Sequence, residues 1–256
     1  MNINEITAIM EGIADPNLAS EWDNCGMQVV ASGKKIEKAL IALEVVGAVI
    51  EEAKVNSADI IITHHPLIFD PLRRVDYNTV TGSYIVELVK SGISVYSAHT
   101  NFDAAEGGNN DYIASLLTLA NVKKFEREGT CRSGELLMRM SFREVCSYVK
   151  DMLKLEYLSA VGSPMMQIRT VGVCCGSGGS MIDAAIDSGC DLFITGDVKY
   201  HDARYAIAKG ICLIDAGHYG TEKFFVKNCA EKLEAASGGR IEVLQSSINI
   251  EPFSIF

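Results

Sequence analysis

Short apolar runs rich in β-branched residues alternate with helix-patterned segments along most of this chain. That alternation restricts the fold more than any other feature. KALIALEVV (38–46) has the composition of a strand, and the AVIEEAKVN that follows has helical apolar spacing. DIIITHHP (59–66) is a strand running into two histidines. TGSYIVELVKSG (81–92) is a helix stopped by Gly92, ISVYSAHTNFD (93–103) is strand-like, and NNDYIASLLTLA (109–120) is helical. After a looser stretch the series resumes. SFREVCSYVKDML is a helix, RTVGVCCG a strand, MIDAAIDSG a helix and CDLFITGD (190–197) a strand. DARYAIAKG is a helix, ICLIDAGH (211–218) a strand, TEKFFVKNCAEKLEAA a helix and RIEVLQSS a closing strand. Strands with no polar face, separated by helices, predict an α/β fold with helices covering largely parallel sheets.

The chain has 256 residues, long for one compact domain and short for two ordinary ones. A weak internal repeat suggests how the length is used. DIIITHHP and DLFITGDV share an Asp, an apolar run and a polar pair at the strand's end. One helix and one strand later come SAHTNFD and DAGHYGTE, each with a histidine followed four positions on by an acid: His99 and Asp103, then His218 and Glu222. The expectation is two similar, intertwined α/β halves. Residues 1–125 form the first, with the terminal strand (240–256) packing back on it, and 126–239 the second, in one structural unit with the site between halves.

Net charge is −10, which disfavours non-specific binding to nucleic acid or anionic membranes. No apolar run approaches the roughly 18 residues a spanning helix needs. The N-terminus lacks a basic, then apolar, leader pattern. Eight cysteines sit mostly in apolar runs such as TVGVCCG, and no CxxC pair occurs. They read as small buried hydrophobes in a reducing cytoplasm, with no disulfide framework or zinc ribbon.

Only five histidines are present, and His64, His65 and His218 fall where strands run out, with His99 near such an end. Ligand crevices of open α/β sheets lie at the carboxyl ends of strands. Imidazole and carboxylate together suit divalent transition metals. Adjacent side chains in a strand point to opposite faces, so His64 and His65 share one centre only if the strand is already breaking into a loop. If a helix starts at His218, it and Glu222 share a face. His64, His65, Asp103, His218 and Glu222 make five ligands, more than a tetrahedral catalytic zinc takes and a fit for two ions. His201, in KYHDA, reads as an ordinary polar residue.

Two further segments carry alternatives. Gly176, Gly178 and Gly179 in CGSGGS either cradle an anion at a helix start or allow a tight turn. EWDNCGMQV (21–29) sets the single tryptophan beside Asp23 and Asn24, as a pocket wall or a capped turn.

WDNCGMQV, ITHHP, SAHTNFDAAEGGNND, ITGDVKYHDA and AGHYGTE, in this order from residue 21 to about 225, resemble the Nif-three-like proteins, often labelled GTP cyclohydrolase 1 type 2 homologue. The resemblance implies a dinuclear metal centre on His64, His65, Asp103, His218 and Glu222, the set already reached from spacing. It also implies that His99 lies close to the metals, beside them or as an occasional ligand. A toroidal homohexamer, a trimer of dimers with its sites facing a cavity, is the implied assembly. The linking region around 121–135 is too short for the domain that some relatives insert, so this is the compact form. The Asp197, Lys199 and His201 loop has no role assigned by the resemblance.

Two functional readings follow. One is a metal-dependent hydrolase of a nucleotide or phosphate-containing small molecule, by GTP ring opening or phosphoester cleavage, with His99 as proton shuttle. Arg73, Arg74 and Lys199 are candidate phosphate contacts or ordinary surface charges. The alternative is a non-catalytic metal-binding, regulatory or metal-chaperone ring; a plain interaction module with structural histidines is a third. Two divalent ions per chain are expected, from among zinc, iron, manganese, nickel and cobalt.

Overall fold

The computed structural model describes residues 1–255 and divides the chain into two compact units. The first comprises Met1–Ala105 together with the chain from Phe225 onward; the second is Glu106–Phe224. The chain leaves the first unit, builds the second and returns.

The first unit contains α1 (Ile3–Ile13), β1 (Gly26–Val29), β2 (Lys38–Ala42), α2 (Gly47–Val55), β3 (Ile60–Thr63), α3 (Val80–Ser91), β4 (Ser94–Ser97) and α4 (Thr100–Ala104). In the second unit follow α5 (Asn109–Leu116), β5 (Ala120–Phe125), β6 (Cys131–Ser141), α6 (Phe142–Met152), β7 (Ser159–Val161), β8 (Gln167–Ser177), α7 (Ile182–Asp187), β9 (Leu192–Gly196), α8 (Tyr200–Lys209), β10 (Cys212–Asp215) and α9 (His218–Glu222). The return adds α10 (Phe225–Ser237) and β11 (Glu242–Gln245) to the first unit.

The first sheet runs β1-β4-β3-β2-β11 and the second β5-β6-β8-β9-β10-β7. Within them the same four-strand motif occurs twice. In β1-β4-β3-β2 and again in β7-β10-β9-β8, the first strand is antiparallel to its neighbour and the others are parallel. An aspartate just before the third strand of each motif binds backbone amides of the strand beside it, or of the residue that leads into it. Asp59 accepts from the amides of Glu37 and Lys38, and Asp191 from those of Arg169 and Thr170. The Asp that opens each repeat in the sequence is thus a clasp.

Outside this motif the sheets differ. β11 joins β2 in parallel, whereas β6 joins β8 antiparallel and carries β5. The second sheet is therefore mixed, while the first is parallel apart from its β1 edge. β5, β6 and β7 lie in the stretches the sequence left loose, because exposed positions interrupt their apolar pattern. The pairing of β5 with β6 also puts that segment, counted at sequence level with residues 1–125, in the second unit. α10, counted there with 126–239, returns to the first.

Parallel strands buried on both faces need apolar side chains throughout, and Ile60, Ile61, Ile62, Leu192, Phe193 and Ile194 are all buried. Helix ends follow local chemistry. Gly92 and Gly210 take left-handed conformations that stop α3 and α8, and Ser141 with Glu144 makes a capping box for α6. Arg132 is buried and forms an ion pair with Asp111. The eight cysteines are free thiols, six of them buried. No helix among the described residues is long and apolar enough to cross a membrane.

Candidate metal centre

In the first unit the candidate site forms where β3 and β4 end. β3 stops at Thr63, and the next two amides, of His64 and His65, both donate to the Leu43 carbonyl. The strand has thus broken before the histidines, so their rings need not point apart: the centroids are 5.3 Å apart with the planes tilted 38°. Their backbone is held by hydroxyls. Ser97 Oγ donates to the His64 carbonyl at 2.7 Å and Thr63 Oγ1 to that of His65 at 2.8 Å. His99 precedes α4 and joins the pair, its ring 5.0 Å from that of His64 and 5.7 Å from that of His65. One nitrogen of each of the three rings lies within 4.8 Å of the others. Asp103, one turn into α4, brings Oδ2 to 3.6 Å from His64 Nε2.

Each imidazole has its Nδ1 committed. Carbonyl and carboxylate oxygens only accept, so a ring nitrogen facing one carries the proton. His64 Nδ1 donates to the Ala98 carbonyl at 2.9 Å, His65 Nδ1 to Glu44 at 3.3 Å and His99 Nδ1 to Asp23 at 2.9 Å. Asp23 also accepts from the Thr100 amide and hydroxyl and from the Cys25 thiol. Burial pushes the Asp23 carboxyl up, but the bonds from His99, Thr100 and Cys25 outweigh it and hold the group well below the usual carboxylate range. The Cys25 thiol is pushed up to about 11 by burial and by its bond to Asp23.

In the second unit the matching corner lies beyond β9 and β10. His218 opens α9 and Glu222 sits one turn on, as the four-residue spacing predicts, with Nε2 to Oε2 at 3.0 Å. His218 Nδ1 donates to Asp197 at 2.7 Å. His218 Nε2 faces the Glu222 carboxylate at 3.0 Å, and two lone pairs at that distance repel, so the contact is favourable only with a proton or a cation between them. Gly176 explains part of the CGSGGS loop: it has φ +67°, and a Cβ there would sit 2.3 Å from Glu222 Oε1. A Cβ at Gly178 would meet Thr195 Oγ1 at 2.5 Å and one at Gly179 would meet Asp202 Oδ2 at 2.7 Å. The glycines make room for neighbouring side chains, two of them acids, which is no anion cradle. His201 is exposed on α8 with its ring against Tyr200. Arg73 and Arg74 are exposed, Arg74 near Asp76, and Lys199 precedes α8.

A model of the family described as Duf34/NIF3 (NGG1p interacting factor 3) matches residues 1–252. This chain belongs to the Duf34/NIF3 family. A Clostridium acetobutylicum relative named "GTP cyclohydrolase 1 type 2 homolog" is 32% identical, over 99% of this chain and 98% of its own. A Helicobacter pylori (strain J99) relative named "GTP cyclohydrolase 1 type 2" is 33% identical, over 91% of this chain and 92% of its own. Among solved structures, reduced HcgD from Methanocaldococcus jannaschii has a TM-score of 0.85 at 32% identity, over 97% of this chain and 98% of its own. A Bacillus cereus protein related to NIF3 has the same fold, with a TM-score of 0.92 at 24% identity, over 100% of this chain and 99% of its own.

The sequence assigned no role to three residues of this Duf34/NIF3 chain that engage His99, His65 and His218: Asp23, Glu44 and Asp197. Asp23 sits in the WDN segment singled out beside the tryptophan, and Asp197 takes in TGDV the place of the second histidine in THHP. Glu44 carries no sequence signal, since one acid after a strand is ordinary. The donor set fits a divalent transition metal: imidazoles presenting Nε2, carboxylates beside them, and an oxygen acceptor behind every ring.

Proposed function

We propose that this protein is a metal-dependent hydrolase in which His64, His65, Asp103, His218 and Glu222 are the ligands of two divalent metal ions per chain. The supporting observation is the uniform treatment of the imidazoles. All four have Nδ1 held by an oxygen acceptor, which fixes the tautomer and leaves Nε2 as the ligand atom. A surface histidine has no need of such fixing.

Divalent ions held there would supply Lewis acidity and make water a better nucleophile near neutral pH. The chain's own groups do the rest. Asp23 holds His99 with Nε2 as its lone-pair nitrogen, suited to take a proton and return it. His64 is buried, its ring 5.0 Å from that of Phe225, which keeps water from one side of the cluster. The substrate class, a nucleotide or other phosphate-containing small molecule, is supported by the name of the Helicobacter pylori relative. The toroidal homohexamer is proposed on the family resemblance, and sedimentation of the purified chain as a monomer would remove it.

Elemental analysis of wild type, His65→Ala and His218→Ala tests the ligand set. About two metals per chain in the wild type, with a loss of metal in each variant, is the expected result. Loss of one ion in each variant would assign the two histidines to different ions, and loss of both would make the ions interdependent. A wild type that takes up no divalent ion sinks the proposal. A loaded protein that turns over neither GTP nor simple phosphodiesters leaves the non-catalytic metal-binding reading in its place.

A further inference from the structure

Two large aromatic side chains stand in the open beside the histidine cluster of the first unit. Trp22 is 59% exposed and Phe69 52% exposed. Their centroids are 5.8 Å apart with the planes tilted 50°, and the His99 ring lies 6.1 Å from Trp22 and 6.5 Å from Phe69. Neither position is a loose loop tip. Asn24 Nδ2 donates to the Ile68 carbonyl at 2.6 Å, the Ile68 amide to Gln28 Oε1 at 3.1 Å, and Gln28 Nε2 to the Asn24 carbonyl at 2.6 Å. This closed relay bolts the Trp22 segment to the Phe69 segment. Leu67 and Ile68 pack against the first unit's core, and Pro66 and Pro71 bracket the run, so only the third apolar residue of Leu67-Ile68-Phe69 is turned outward. Water-exposed aromatic surface is costly, and a contiguous patch of it held rigidly marks a binding surface.

We propose that Trp22 and Phe69 form a stacking platform for a flat heteroaromatic ring of the substrate, placed so that the rest of that molecule reaches the His64, His65 and His99 cluster. The inference rests on the metal-centre reading above for its purpose, but not for its geometry. A separation of 5.8 Å is contact distance for the two rings themselves, so no third ring enters between them. The guest lies on the open face of the indole, with Phe69 and the edge of His99 bracing it from beside. Such stacking tolerates different bases, since every base has a π-face, and selects against ligands without a ring.

Trp22 is the single tryptophan, so its fluorescence reports this platform alone. The metal-loaded protein is titrated with guanosine 5′-monophosphate and separately with ribose 5-phosphate, which has the phosphate and no ring. Saturable quenching by the first at concentrations where the second has no effect is expected. Phe69→Ala weakens that binding by about fivefold or more, on the scale of one lost base stack, with metal content unchanged. Trp22→Phe, followed by calorimetry, retains binding within about threefold because a ring remains, whereas Trp22→Ala loses it. Equal quenching by ribose 5-phosphate, or none by either ligand, overturns the proposal. Quenching that follows protein concentration and disappears in Phe69→Ala also overturns it, because the patch would then be a contact between copies. Failure of the metal reading shows separately, as a protein that binds the nucleotide ring but no metal.

Discussion

The two four-strand motifs share topology and the clasping aspartate, yet deliver different chemistry. Where its third strand ends, the first motif has His64 and His65 at the positions that Gly196 and Asp197 hold in the second. After its fourth, each has a histidine at the start of a five-residue helix and an acid four positions on. A side chain like that of His64 has no room in the second motif, where a Cβ at Gly196 would lie 2.6 Å from the His218 backbone nitrogen. The position of His65 is taken by Asp197, which serves as the acceptor behind His218. One corner therefore gathers three imidazoles, and the other prepares a single imidazole and a carboxylate. The scaffold fixes where ligands can stand, and residues at two strand ends decide how many stand there.

The strongest way to break this contrast is to make the second corner like the first. Gly196→His should cost about 3 kcal/mol or more, because the clash is with backbone, which cannot swing aside. Urea unfolding of the variant checks it, and wild-type stability would show that the close approach does not constrain the fold. The clasps come next. Asp59→Ala and Asp191→Ala should each cost about 1.5–3 kcal/mol, since each orphans two amides that bond to a charged carboxylate. Near-equal losses support equivalent motifs, and a large loss in only one would part them. Asp197→Asn keeps an oxygen acceptor behind His218 but removes its charge, and should weaken metal affinity by about 10-fold with little change in fold stability, the low end of what altering the partner of a ligating histidine costs. Isothermal titration with zinc reads it, and unchanged affinity would demote Asp197 to a surface acid.

The smallest effect concerns the edge where the motifs differ, beside β2. Glu52 accepts from both Ser246 and Ser247 just past β11. Burial raises its pKa, but these bonds prevail and leave it lowered. A lowered folded value means that the contribution is present above the unfolded pKa, about 4.3, and is lost as pH falls through the folded value. The protection factor of the Ser247 amide should therefore fall as pH drops through the folded value in the wild type and be low already at neutral pH in Glu52→Ala. Identical protection in both proteins at pH 7 would remove Glu52 as the tie.

The sequence alone determined the α/β class, most of the parallel strands and the places where histidines leave them, because buried strands must be apolar throughout and helix ends follow local capping chemistry. It also marked the duplication, since His99 with Asp103 and His218 with Glu222 keep one spacing. Spacing alone could not decide whether His64 and His65 face together; the shared Leu43 carbonyl, which breaks the strand, did. Nor could it find Asp23 and Glu44 as partners of His99 and His65, contacts across 76 and 21 residues. The strands β5 and β7 at the edges of the second sheet, and β6 beside β5, were likewise beyond it, since a strand with exposed positions is specified by its neighbour more than by its own composition. Periodicity and capping act within a few residues and are written locally. Pairing between distant segments, and the proton it fixes on each imidazole, exists only once the tertiary structure has formed.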